Sequence, residues 1–318
     1  QGTHYDYEVE ATVVAPYAQW RWRLAESTTL TAGLRLEHTR YDYNNQSGDG
    51  DACEAGVANC RFYRPADRVD EFTTWSPKLG LLQQVTDNQQ LYVNLRQSHR
   101  APQATELYRL QNGQQFADLN SEQLTAAELG YRGDFARSQV TVSVFDMQKK
   151  HYIFQDTDRQ NISDGESSHQ GAELTLLQQL MPQLELQLSA SYARHRYDDD
   201  TAISQVSIAG NDIDTAPRRL ARASLAWHYS PGATASLEAI SMGRYYLNPE
   251  NTQRYPGHTL LNVRVTHSLD NHWQLGVRVT NLENIDYAER ADFAFGAERY
   301  FVGEPRSVYV SVQRAFSG

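Results

Sequence analysis

The stretch TTLTAGLRLEH, residues 28–38, decides how this chain is read. Leu30, Ala32, Leu34 and Leu36 fall on one side of an extended backbone, and Thr31, Gly33, Arg35 and Glu37 on the other. Side chains of a strand point alternately to opposite faces, so this alternation marks a strand with one apolar face. LYVNLRQSHR (91–100), NVRVTH (262–267) and HWQLGVRVTN (272–281) repeat it. Working outward, the spacing predicts strands over 12–25, 28–43, 72–86, 90–100, 122–133, 138–154, 167–180, 183–197, 216–229, 233–246, 258–269, 272–281 and 305–316. Only TELYRLQ, around Leu107, suggests a helical turn.

The connections between these strands alternate in length. Short ones lie at Glu26 and Ser27, 87–89, 134–137, Met181 and Pro182, 230–232, and Asp270 and Asn271. Long ones cover 44–71, 101–121, 155–166, 198–215, 247–257 and 282–304. Tight turns at one end and long loops at the other are the pattern of an outer-membrane barrel. A soluble sandwich also alternates, but has less reason to gather every long loop at one end. Trp20, Trp22, Tyr41, Tyr43, Trp75, Tyr192, Trp227, Tyr229, Tyr245, Trp273 and Phe316 lie near strand ends, as interfacial girdles require. The expectation is an all-β, antiparallel transmembrane β-barrel. Its first and last strands both run inward, which gives an odd strand count. Single-chain bacterial barrels are even, so the chain is expected to be part of a larger barrel. An extra strand within 1–15, where HYDYEVEATVV alternates, is the alternative.

Composition narrows the function. The chain has 318 residues, with 29 Lys and Arg against 39 Asp and Glu, a net charge of −10. That balance argues against a nucleic-acid partner, which requires a basic patch. No run approaches the ~18 apolar residues of a membrane helix, which leaves strand-spanning proteins open. The two cysteines, Cys53 and Cys60, lie in the Gly/Asp/Asn-rich stretch DACEAGVANCRFY with no companion metal ligands. They are expected to pair as a loop disulfide in an oxidising compartment, two free thiols being the alternative.

Five stretches resemble the TonB-dependent outer-membrane receptors, in that family's order. WSPKLGLLQQVTDNQQLYVNLRQSHRAPQATELY (75–108) is similar to its central barrel segment. Glu128-Leu129-Gly130-Tyr131-Arg132 resembles its "ELGYR" strand, and Gly171-Ala172-Glu173-Leu174 its "GxEL" strand. Asn281-Leu282 with Tyr287 resembles "NLxxxxY", and ERYFVGEPRSVYVSVQRAF (298–316) its closing loop and last strand. The resemblance implies that residues 1–318 are the C-terminal portion of a 22-stranded barrel, with the plug domain absent from this chain. Ser317 and Gly318 follow Phe316, where the family normally ends. It further implies active uptake of a metal chelate, most often a ferric siderophore, across a Gram-negative outer membrane. The partners would be a TonB-ExbB-ExbD complex acting through the plug, the chelate itself, and outer-membrane lipid and lipopolysaccharide. Cobalamin, haem and copper remain alternative ligands, and a plugless passive channel the rival function.

The residues suggest where such chemistry would sit. Arg21, Arg23, Arg35, Arg96, Arg100, Arg222, Arg264 and Arg278 occupy the polar face, suited to carboxylates of a plug or to an anion. Among the long loops, Tyr108, Arg109, Phe116, Tyr255 and Arg299, with Arg100 at the top of its strand, are the ligand-contact candidates. Aromatic rings with arginine suit a bulky anionic chelate. The calcium-loop half-match from Asn45 to Gly50 has Gly56 where the bidentate Glu is needed. His99, His151 and His195 lack the serine and aspartate pattern of a hydrolase, so no catalytic residue, cofactor or resident metal is expected.

Overall fold

The computed structural model describes residues 4–53, 60–111, 113–156, 159–200, 203–270 and 272–316. In chain order the strands begin with β1 (Tyr7–Val14), β2 (Tyr17–Ala25), β3 (Thr28–Asn45), β4 (Gly50–Asp51), β5 (Phe62–Arg64), β6 (Arg68–Thr86) and β7 (Gln89–Arg100). The helical turn α1 (Ala104–Tyr108) and β8 (Leu110–Gln111) follow, then β9 (Glu122–Phe135), β10 (Ser138–Gln155), β11 (Asn161–Met181) and β12 (Leu184–Tyr197). Next come β13 (Arg219–Ser230), β14 (Ala233–Met242), β15 (Tyr245–Tyr246), β16 (Arg254–Tyr255) and β17 (His258–Ser268). The chain ends with β18 (Trp273–Thr280), β19 (Ala288–Ala294), β20 (Ala297–Val302) and β21 (Ser307–Arg314).

One antiparallel sheet of fourteen strands forms the wall, in the order β1-β3-β6-β7-β9-β10-β11-β12-β13-β14-β17-β18-β21, with β2 also on β3. β1 pairs with the upper half of β3 and β2 with its lower half, so both follow one course. The break falls at Ala15 and Pro16, because proline has no N–H to give the ladder. The Pro16 carbonyl still accepts from Leu36 N at 3.0 Å. The stretch before Ala15 is therefore the top of the expected first strand, not an extra one. The wall is crossed an odd number of times, and β21 runs in the direction of β1 and β2. No pairing joins β21 to them among the described residues, so the sheet is an open wall.

Register sorts the two faces. Trp22, Leu30, Leu81, Val93, Leu129, Val144 and Ala172 are successive cross-strand partners. Leu225, Leu237, Val263, Val279 and Val308 form a second such row. A one-residue slip would turn each row to the other side, so the apolar pattern holds the register. The opposite face carries Tyr92, Gly130, Ser143 and Glu173 in one row and Arg264, Arg278 and Tyr309 in another. Crossing a bilayer takes ~9–11 tilted strand residues. β3, β6, β10 and β11 have 18, 19, 18 and 21 residues, so their upper halves stand above the apolar band.

Some elements differ from the expectation. β6 begins at Arg68 and β11 at Asn161, because strand ends with polar residues on both faces lose the apolar alternation. Residues 288–302, expected as loop, form the β19–β20 hairpin. Trp20, Trp22, Trp75, Tyr192, Trp227, Tyr229, Trp273 and Phe316 are exposed as a girdle requires. Tyr43 and Tyr245 are instead buried, each in a loop-level apolar cluster. Gly56, Ser317 and Gly318 lie outside the described residues.

Candidate functional site

The tops of the long strands and their connections form a rim with two small apolar cores. The first gathers Tyr43, Leu107, Tyr108, Leu110, Ala117 and Leu119 around α1. The Tyr108 ring stacks on Tyr43 at 4.2 Å, and its hydroxyl donates to Asp70 Oδ2 at 2.8 Å. Tyr108 has no exposed surface, so its ring anchors α1 to the wall and offers no face to a ligand. This corrects the sequence expectation: an aromatic beside charged residues in a long loop cannot be told from a core aromatic without its neighbours.

Arg100 sits where it was expected, at the top of β7, and its Nε, Nη1 and Nη2 all donate to carboxylates. Nε donates to Glu122 Oε2 at 2.7 Å, and Nη1 and Nη2 to the Glu106 carboxylate at 3.0 and 3.1 Å. Lys149 Nζ lies 3.2 Å from Glu122, and Ile153 N donates to it at 2.9 Å. Burial raises the Glu122 carboxyl, but the Arg100 hydrogen bond, the Ile153 N–H and Lys149 outweigh it and hold it at about 2. Arg100 thus clamps α1 and β9 to β7. The Asn161 side chain, within an Asn-Ile-Ser pattern, is buried and donates to Glu106 O at 2.7 Å.

Arg109 and Phe116 remain open. Arg109 Nε donates to the Tyr7 hydroxyl at 3.1 Å. Its guanidinium lines a cleft of about 460 Å³ with Tyr5, Phe62, Thr105 and Phe154. Tyr5 and Phe62 were missed by sequence reasoning, since only long-range pairing brings them there; Tyr5 OH bonds to Leu110 O, 105 residues away. Phe116 is 60% exposed, with the Arg68 guanidinium 5.8 Å from its centroid. Cys53 and Cys60 are disulfide-bonded beside this cluster, with Cα atoms 5.6 Å apart.

The second core holds Tyr245, Leu247, Tyr255, Ala288 and Ala291. The Tyr255 hydroxyl accepts from Ala288 N at 3.0 Å and its ring is 5% exposed, so Tyr255 also leaves the ligand set. Arg299 stays on the surface of the β19–β20 hairpin. Its Nε donates to Asp292 Oδ1 at 2.6 Å, and its guanidinium lies 5.6 Å from the ring of Phe295 at the hairpin tip. Below the rim, Arg222, Glu238, Asn262, Arg264, Arg278 and Thr280 line one polar cleft on the inner wall. Arg222 pairs with Glu238 there, and the Arg278 guanidinium covers the Tyr309 ring at 4.4 Å. No group of three metal-ligating side chains occurs among the described residues.

Solved structures with this fold include the ferric citrate transporter FecA, with TM-score 0.80 at 18% identity over 98% of this chain and 46% of that one. The ferric yersiniabactin uptake receptor FyuA from Yersinia pestis aligns with TM-score 0.77 and 18% identity, covering 98% and 46%. The copper transporter OprC aligns with TM-score 0.78 and 17% identity, covering 97% and 50%. The chain thus spans about half of those proteins. At these identities the likeness speaks for the fold alone. The model of the TonB-dependent receptor-like β-barrel matches residues 1–282, most of the sequence. With the strand pattern, one-sided loops and opposed faces, that match places the chain in the TonB-dependent receptor β-barrel family.

Proposed function

We propose that this chain is the C-terminal wall of a 22-stranded outer-membrane receptor that takes up a metal chelate, with a ferric siderophore the ligand favoured. The observation that carries the reading is the rim. Its buried aromatics and ion pairs build a rigid frame, and Arg109, Phe116, Phe295 and Arg299 remain on its surface. Exposed guanidinium and aromatic faces held by a fixed frame suit a bulky, anionic chelate. The ferric citrate and ferric yersiniabactin receptors that share the fold support iron, while the copper transporter marks the rival cargo. A plug domain elsewhere in the protein would close the lumen and contact the TonB-ExbB-ExbD complex, which supplies the energy for release. The arginines of the inner wall would face that plug.

Binding of a panel of ferric siderophores, ferric citrate, copper and haem to the full-length protein tests the ligand. Saturable binding of a ferric chelate, weakened at least tenfold in a variant carrying R109Q, F116A and R299Q, supports the reading. Uptake that persists without TonB would instead identify a passive channel.

A further inference from the structure

Two histidines from neighbouring long strands meet on the inner face of the wall. Glu173 lies in the inner row, and by alternation Gly171 and His169 continue upward on the same face of β11. His195 of β12 is the direct cross-strand partner of His169, and their Nδ1 atoms are 2.8 Å apart. Ser167 is 2% exposed, and its Oγ lies 3.1 Å from His169 Nε2. In the tautomer that donates Nε2–H to this hydroxyl, His169 turns an unprotonated Nδ1 toward His195. Burial is the largest cause lowering both pKa values, that of His169 to about 4, so both rings are neutral at pH 7. Lys149 disfavours a cation here, but its Nζ is 3.2 Å from Glu122, and Asp198 and Asp212 act on the two rings in the opposite sense.

Neutral imidazoles with converging ring nitrogens are ligands for a borderline divalent ion. Two metal–nitrogen bonds of ~2.0–2.1 Å, with the nitrogens 2.8 Å apart, meet at ~86°, whereas a tetrahedral ion needs the nitrogens ~3.3 Å apart. An angle near 90° is that of adjacent ligands on a tetragonal ion of the nickel(II) kind. The Ser167 hydroxyl supplies the outer hydrogen bond that a ligating histidine ordinarily makes through its other nitrogen. No third imidazole, carboxylate or thiolate joins the pair among the described residues, so water from the lumen would fill the remaining positions. The place also gives such an ion a task. The ladder from β12 to β13 ends at Tyr192. Above it β12 is held on that side by the Arg196–Asp212 bridge and by Ile213 N donating to His195 O at 2.9 Å. We infer that His169 and His195 chelate one tetragonal divalent transition-metal ion, which pins the top of β12 to β11. The inference rests on the β11–β12 pairing alone, so it stands or falls independently of the chelate-uptake reading.

The test titrates tag-free, chelator-stripped full-length protein in nonionic detergent with nickel(II) chloride, followed by calorimetry at pH 7.5. Heat-modifiable migration confirms the fold of every variant. The wild type should bind one nickel ion that H169Q and H195Q each bind at least ~100-fold more weakly, since loss of an outer hydrogen bond alone costs ~10–100-fold. S167A keeps both ligands and should weaken binding ~10-fold, as loss of the bond that orients His169 requires. H228Q/H272Q removes two exposed imidazoles elsewhere and should leave binding within twofold. Saturating nickel should raise the thermal midpoint of the wild type and leave that of H169Q unchanged. Equal nickel binding by the wild type, H169Q and H195Q would leave the two rings as a plain cross-strand hydrogen bond and overturn the inference. Equal loss in H228Q/H272Q and H169Q would overturn it as well.

Discussion

His169 and His195 face each other across β11 and β12, with Nδ1 atoms 2.8 Å apart, so one ring donates and the other accepts. They lie high on the long strands, above the apolar band. Burial, then the charges of His195 and Lys149, lower the His169 pKa to about 4. A histidine depressed in the folded state stabilises above its unfolded pKa of ~6.5, and that contribution is lost as pH falls toward 4. Glu122 behaves likewise, but in the lower window between its ordinary value and about 2. Thermal melts of the full-length protein at pH 7.5 and 4.5 should therefore show acid destabilisation that His169→Gln reduces; an unchanged difference would remove His169 as its source. A second residue-scale expectation concerns Gly130 of the "ELGYR" strand. A Cβ there would stand 2.1 Å from the Tyr92 ring, whose hydroxyl donates to Glu128 at 2.9 Å. The glycine is a seat for that ring. Gly130→Ala should cost ~1–3 kcal/mol by overcrowding, and Tyr92→Phe at the same site should cost less. Urea melts of the two variants check the order. Gly303 plays the same part beneath Tyr287, which ties the "NLxxxxY" segment to the closing loop.

At the scale of elements, the two faces of one strand predict opposite responses. Val93 pairs with Leu81 and Leu129 on the apolar side, while Asn94 pairs with Gly80 and Glu128 on the polar side. Val93→Arg should cost ~2–4 kcal/mol near the bilayer midplane, and Asn94→Arg far less. Equal losses in a guanidinium titration of the refolded barrel would mean that the register, or the membrane, is wrong. The loop that carries Cys53 and Cys60 gives a second test. Thiol labelling of the unreduced, denatured protein should find no free thiol, and two labelled cysteines would contradict the pairing. Alternation made the strands legible because one face of each meets lipid or water uniformly. It failed at the tops of β6 and β11, where Val69 and Ile162 stand alone among polar residues and make no alternation, and in the β19–β20 hairpin, whose exposed face is mixed.

For the whole molecule, the open wall has a direct consequence. β1 and β2 at one edge and β21 at the other run the same way, so they cannot close as an antiparallel pair. Unpaired backbone in lipid costs several kcal/mol per group. Residues 1–318 alone should therefore aggregate or remain heat-insensitive on gels, and a heat-modifiable band from them would refute the open-wall account. The sequence by itself determined the strands, their order, the lipid and lumen faces, the end that holds the loops, and the family, because each is written in local period or short motifs. The tertiary structure alone decided which loop side chains stay free. Tyr108 and Tyr255 read as ligand contacts, yet both are buried beneath neighbours distant in sequence, while Arg109, Phe116 and Arg299 remain exposed. It alone gathered Arg219, at the start of β13, with Arg244 and Arg254, from the connection between β14 and β17, into one cleft. Burial and convergence of loop residues depend on contacts between distant parts of the chain, and no local period records them.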